Sequence, residues 1–172
     1  MTIEITLVST PQEITVIEHL AEEIWSQHYT AIIGLSQVEY MLKTFQSAEA
    51  IFSQIQNGVK YYLITANNTI VGYLSLVLDY DSKRLMLSKI YVKQLARKKG
   101  VGKVMLNFIE QKYREEGFNT LWLTVNRFND DAIAWYKNHG FSIINEVQKD
   151  IGGGFIMDDY ILEKKIKTTS SS

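Results

Sequence analysis

The chain has 172 residues, 46% of them hydrophobic and only one of them proline, and its 18 basic and 19 acidic residues leave a net charge of −1. That length and composition suit a single domain with a sizeable core and exclude a mainly disordered chain, and the charge balance gives no global reason to bind nucleic acid or an anionic membrane. The absence of cysteine excludes disulfides, thiolate metal sites and a cysteine nucleophile, and agrees with a reducing compartment.

Ile3, Ile5 and Leu7 alternate with polar residues, which predicts a strand and lacks the basic start and apolar run of a signal peptide. The longest apolar run, Ile70 to Leu78, is shorter than the about 20 residues that span a bilayer, so no membrane segment and a cytoplasmic location are expected. Thr10-Pro11-Gln12-Glu13 reads as a capping box with proline at the first helical position. The helix behind it carries Ile14, Ile17, Ala21, Ile24 and His28 on one stripe, with Trp25 beside them. Tyr29 to Leu35 is expected to be a loop, Ser36-Gln37-Val38-Glu39 a second capping box, and Ser47 the cap of a helix with Ile51, Phe52 and Ile55 inward.

Lys60 to Ala66 and Thr69 to Tyr80 follow as strands around an Asn67-Asn68 turn, then Arg84 to Val92 as the next strand. Helical spacing at Val101, Val104, Met105 and Phe108 runs to a Gly117 cap, and Thr120 to Val125 completes a β-α-β unit with a parallel pair. Asn129-Asp130-Asp131 opens a helix that closes at Asn138-His139-Gly140. The last strands are Phe141 to Lys149 and Phe155 to Lys164. The expected architecture is therefore α/β in the mixed α+β sense: a central, mostly antiparallel sheet with one parallel pair, flanked by helices, in one domain over 1–166. A polar tail over 167–172 is expected to be disordered.

The chemistry concentrates after the strand that ends at Val92. A helix start presents N–H groups without intrahelical partners at the positive end of its dipole, and glycines let an anion come close. Gly100 and Gly102 stand there, with Arg97, Lys98, Lys99 and Lys103 around them. One residue between the glycines is too few for a Walker loop, and Met105 stands where a dinucleotide fingerprint needs its third glycine. A polyanion site of another kind is indicated.

Arg97-Lys98-Lys99-Gly100-Val101-Gly102 resembles the Arg/Gln-x-x-Gly-x-Gly/Ala motif of the GNAT N-acetyltransferase superfamily, which grips the pyrophosphate of acetyl-CoA. Asn129 to Phe141, with Ala132, Tyr136 and Gly140, resembles the family's second signature, and the likeness covers roughly 61–165. It implies acetyl-CoA as acyl donor, held by the backbone of Ile90, Tyr91 and Val92 along the pantetheine and by Arg97, Lys98, Lys99, Gly100, Val101, Gly102 and Lys103 at the pyrophosphate. It further implies that Asn129 bonds to the pantetheine arm and that Tyr136 is the general acid. Read as single residues, Tyr136 is equally a packed core tyrosine, Asn129 an N-cap and His28 a packed histidine.

Relatives often carry a glutamate base on the organising strand, where this chain has Met86, Ser88 and Lys89, so no base is assigned. By the same resemblance the acceptor pocket draws on Trp25, His28, Tyr29, Tyr40, Asp158 and Asp159, a set that suits a cationic small-molecule amine. Asp158 and Asp159 alternate across a strand, so at most one serves it. The layout is also similar to bacterial polyamine acetyltransferases. Acetylation of a protein or peptide, or a non-catalytic acyl-CoA binding module, are the alternative readings. No metal and no nucleic-acid partner are expected, and a homodimer through exposed terminal strands is compatible with the sequence.

Overall fold

Local signals and long-range pairing together produce the elements. The computed structural model describes residues 1–167, and the expected disordered tail lies, from residue 168 on, outside them. In chain order the elements are β1 (Ile3–Leu7), α1 (Pro11–His28), α2 (Thr30–Ile33), α3 (Leu35–Phe45), α4 (Ala48–Gln56), β2 (Lys60–Ala66), β3 (Thr69–Asp79) and β4 (Arg84–Val92). A 3-10 turn (Gln94–Ala96) and α5 (Val101–Glu115) come next, then β5 (Thr120–Asn126), α6 (Asp130–Asn138), β6 (Ser142–Gly152) and β7 (Phe155–Lys165). The seven strands form one mixed sheet in the order β1-β2-β3-β4-β5-β7-β6, with β4 and β5 as its parallel pair.

By chain contacts the molecule divides into two compact units, residues 1–77 with 88–111, and 78–87 with 112 onward. In the first unit, Thr10 accepts the Glu13 N–H while the Glu13 carboxylate accepts from the Thr10 backbone, so the first capping box forms as read. One face of α1, with Ile14, Ile17, Ala21 and Ile24, meets Val38, Ile51, Tyr61 and Tyr73 in a core that excludes water. Asn67 and Asn68 both take positive φ, +50° and +66°, as the tight β2–β3 turn requires.

Four expectations are corrected. The segment expected as a loop after Tyr29 contains the helical turn α2, with the N–H of Gly34 bonded to the Thr30 carbonyl. The capping box at Ser36 does not form. Gly34, at φ +85°, is already the N-cap of α3, which leaves Ser36 inside the helix. Phe52 is exposed and Ile51 alone of that trio is buried, and on α5 Val104 faces outward while Leu106, Ile109 and Tyr113 join Val101 and Met105 inside.

In the second unit the parallel ladder pairs Arg84, Leu85 and Met86 with Thr120, Leu121 and Trp122. β7 pairs antiparallel with the whole length of β5 through residues 159–165, and with β6 on its other side. Arg84 donates to Glu163 at 2.9 Å and lies over the Trp122 ring, which ties β4, β5 and β7 at this end. Among the described residues no helix is long and apolar enough to cross a membrane.

Candidate functional site

In the first unit the chain leaves β4 under close control. The Lys93 N–H bonds the Val71 carbonyl at 2.7 Å, the 3-10 turn follows, and Arg97 Nε reaches back to the Val92 carbonyl at 3.1 Å. Arg97 thus pins the loop to the strand it leaves. Lys98 and Gly100 adopt φ of +62° and +81°. A Cβ built on Gly100 meets no protein atom within 4 Å, so what the protein demands of that position is the dihedral, which glycine adopts freely. Gly102 lies in the first turn of α5.

The first intrahelical bond of α5 runs from Val104 N–H to the Gly100 carbonyl, so the N–H groups of Val101, Gly102 and Lys103 precede it and have no helical acceptor. Val101, Met105 and Ile109 bury the helix's inner face and fix the direction in which those donors point. Lys98, Lys99 and Lys103 are exposed around them. Oriented donors, a helix dipole and mobile cations at one point fit a diphosphate.

β4 runs on past Met86 to Val92, but its ladder with β5 ends at Met86. Ile90, Tyr91 and Val92 therefore lie on the stretch of β4 that runs on beyond its ladder with β5. Such a stretch can take an extended ligand as an added strand. On its other side β3 comes close: a Cβ on Gly72 would collide with the Tyr91 carbonyl oxygen. Lys89, on the same strand, bonds the Ser88 hydroxyl at 3.1 Å, and burial pushes its pKa down to about 8.

The residues expected at the acceptor also lie in the first unit. Trp25, Tyr29 and Tyr91 meet edge to face with ring centres 5.6 to 6.1 Å apart, and the Tyr29 and Tyr91 hydroxyls are 3.2 Å apart. His28, half-buried, stands 4.7 Å from Tyr29. Trp25 is only 3% exposed and gives its indole N–H to Tyr73. It offers a wall, and no polar contact. Tyr40 is half-buried on α3.

Sequence reading missed the polar network behind that wall. The Tyr73 hydroxyl donates to Gln46 at 2.7 Å, Gln46 donates to Tyr61, and Tyr61 donates to Gln54. Burial pushes the Tyr61 phenol up to about 12 and raises that of Tyr73 well above its ordinary value, so both stay protonated and serve as neutral links. Tyrosines at Tyr61 and Tyr73 inside apolar strands were the available signal, since a buried phenol needs a partner.

The second unit holds the remaining predicted residues. At the end of β5 the Asn126 side chain accepts the Phe128 N–H and its carbonyl accepts the Asn129 N–H, which turns the chain into α6. Asn129 is the N-cap, only 3% exposed, yet its side chain makes no cap hydrogen bond. Tyr136 is half-buried, with its ring 5.4 Å from both Trp135 and Phe141.

Arg127, not singled out from the sequence, grips Asp158 at 2.8 Å and Glu146 at 2.9 Å and lies over the Tyr160 ring. Asp158 is thereby committed to holding the β5–α6 turn. Asp159 points the other way and is 4% exposed. Its partner is the Thr124 hydroxyl, and burial raises its pKa to about 6. Among the described residues no group of His, Asp and Glu is arranged to hold a metal ion.

Comparison with known proteins agrees with this geometry. The model of the acetyltransferase (GNAT) family matches residues 17–141. An uncharacterized N-acetyltransferase in the pepI 3' region of Lactobacillus delbrueckii subsp. lactis is 28% identical over 115 residues, 63% of this chain and 66% of that one. Streptothricin acetyltransferase of Streptomyces lavendulae is 29% identical over 82 residues, 48% of this chain and 43% of its own. The chain spans less than two thirds of the length of either relative.

Among solved structures, the PaiA N-acetyltransferase of Thermoplasma acidophilum in complex with coenzyme A superposes with a TM-score of 0.80 at 24% identity, over 96% of this chain and 99% of that one. That likeness speaks for the fold. With the family model covering most of its length, the chain belongs to the acetyltransferase (GNAT) family of N-acetyltransferases, for which acetyl-CoA is the acyl donor.

Proposed function

We propose that residues 1–166 form one acetyltransferase domain that moves the acetyl group of acetyl-CoA to a primary amine of a small molecule by direct attack on the thioester. The observation that carries this reading is the occurrence, within one unit, of a helix start whose Val101, Gly102 and Lys103 N–H groups have no helical acceptor, ringed by Arg97, Lys98, Lys99 and Lys103, beside a strand whose Ile90–Val92 stretch runs on beyond its ladder with β5.

The N–H groups of Val101, Gly102 and Lys103 hold the diphosphate, and the backbone of Ile90, Tyr91 and Val92 extends the pantetheine as an added strand. A strand N–H aimed at the thioester oxygen stabilises the charge that builds there, an effect of about 3–4 kcal/mol per fixed donor. Asn129, with a buried side chain free of capping duty, bonds the pantetheine arm. Tyr136 returns a proton to the departing sulfur. From a phenol near pKa 10 to a thiol near 8.5 the step climbs roughly 2 kcal/mol, which needs no special activation. Trp25, His28 and Tyr29 contribute to the acceptor's surroundings, with Trp25 as an apolar wall, and Asp159 is the carboxylate proposed for the substrate from the second unit. A streptothricin acetyltransferase among the relatives supports a small-molecule acceptor.

The test follows release of the CoA thiol across a panel of polyamines, aminoglycosides and amino acids. One class should turn over well above background, and Tyr136→Phe should lower kcat about 100-fold with little change in the KM for acetyl-CoA. Release at the parent rate after that substitution refutes the role of Tyr136. Turnover of peptides alone refutes the small-molecule acceptor.

A further inference from the structure

Gln46 is a buried amide that no step of the proposed reaction uses. It closes α3 as its C-cap and is 1% exposed, a placement that is costly unless its polar atoms are bonded. Both are. Nε2 donates to the Phe45 carbonyl at 2.6 Å and to the Tyr61 hydroxyl at 3.0 Å, and Oε1 accepts from the Tyr73 hydroxyl at 2.7 Å. A carbonyl only accepts, so the amide nitrogen must face Phe45 and the oxygen Tyr73. On its other side Tyr73 accepts the indole N–H of Trp25 at 3.2 Å. An indole N–H only donates, so the Tyr73 hydroxyl must turn its own hydrogen elsewhere, and Gln46 receives it. The chain of bonds runs one way, from Trp25 through Tyr73 to Gln46.

Apolar side chains of the same shape would fill this part of the core at little cost in stability, whereas a buried network whose members are all bonded fixes where each one stands. What this network holds is the wall of the aromatic cluster. The Trp25 ring meets Tyr29 and Tyr91 edge to face, each at 5.6 Å, and the Tyr73 ring stands 5.5 Å from Tyr91. We propose that Gln46 is a positioning residue for the acceptor: through Tyr73 it sets the Trp25 indole, and with it the place that the acceptor amine takes beside Tyr29 and Tyr91. This rests on the reading of Trp25 and Tyr29 as the acceptor's surroundings. Buried as it is, Gln46 acts through the hydrogen bond that Trp25 gives.

The test takes the amine that turns over fastest among the polyamines, aminoglycosides and amino acids. Its kcat and KM, and the KM for acetyl-CoA, are measured in the parent, Gln46→Met, Trp25→Phe and the double variant. Gln46→Met keeps the length of the side chain without its hydrogen bonds. It should raise the KM for the amine about 10-fold and leave kcat and the KM for acetyl-CoA within about 2-fold. In the Trp25→Phe background, where no indole N–H remains, it should add less than about 2-fold. Tyr73→Phe removes the same link from its middle, should reproduce the change, and carries the test if Gln46→Met does not fold. An unchanged KM for the amine, an equal rise in the KM for both substrates, or a full effect in the Trp25→Phe background overturns the positioning role and leaves the small-molecule reading standing. A parent that turns over none of these amines overturns that reading, and this role with it.

Discussion

Asp159 keeps its carboxyl inside the second unit with one neutral hydroxyl, from Thr124, as its partner. Because burial raises its pKa to about 6, above the about 3.9 of an unfolded aspartate, the folded state binds the extra proton between those values. Stability contributed by this group therefore falls as pH rises from about 4 to about 6 and stays low above that, by at most about 2–3 kcal/mol. Asn in its place keeps the shape and an acceptor for Thr124 without the charge. The Tm of Asp159→Asn relative to the parent should accordingly rise between pH 4.5 and pH 8, and a difference that does not vary with pH refutes the assignment. Glu163 and Glu13, whose pKa values are lowered by Arg84 and by the Ser9 and Thr10 donors, shift the opposite way and cancel in that comparison. At this scale the sequence showed that two adjacent aspartates must face apart. It could not show which one turned inward, because Arg127, which holds Asp158 outward, lies 31 positions away in the chain.

Elements were legible where one short segment decides their form. Thr10 and Glu13 complete their box within four residues, and Asn67-Asn68 and Gly117 tolerate the positive φ that their turns take here. The Ser36 box had the same Ser/Thr-x-x-Glu pattern and failed, since Gly34 two residues earlier had already started the helix. α2 carried no readable signal: Thr30, at its start, spends its hydroxyl on the Ser26 carbonyl one turn back and caps nothing. The close approach of β3 to β4 was equally hidden, because a glycine inside a strand does not say what crowds it. At Gly72 the neighbour is the Tyr91 carbonyl, a backbone atom that cannot rotate aside, with Val92 Cα at 3.2 Å behind it. Gly72→Ala must therefore push the strands apart at Tyr91 and Val92. A loss of about 1–3 kcal/mol, the usual cost of overpacking, is expected in denaturant unfolding. Affinity for acetyl-CoA should fall as well, although residue 72 would not touch it; retained affinity in a destabilised variant separates the edge at Tyr91 from donor binding.

Over the whole molecule, charge is nearly balanced, so the cluster at 97–103 acts as a local field on an almost neutral body. Lys98, Lys99 and Lys103 are exposed, and attraction between exposed charges is screened once the Debye length shrinks from about 14 Å at 0.05 M salt to about 4 Å at 0.5 M. The backbone donors of Val101, Gly102 and Lys103 and the edge of Ile90–Val92 act at hydrogen-bond range and are screened far less. Donor binding should therefore weaken with salt without vanishing, while the ligand-free Tm, which rests on the buried core of α1, β2 and β3, changes little by comparison. A ligand that binds only the folded chain raises Tm through RT ln(1 + [L]/Kd), so thermal shifts read this directly. Acetyl-CoA should give a shift that shrinks between 0.05 and about 0.5 M NaCl, and acetyl-pantetheine, which lacks the diphosphate, a much smaller shift that salt leaves unchanged. Equal shifts from the two ligands would mean that the start of α5 holds no phosphate, and the assignment of 97–103 would fall while that of the strand edge remained.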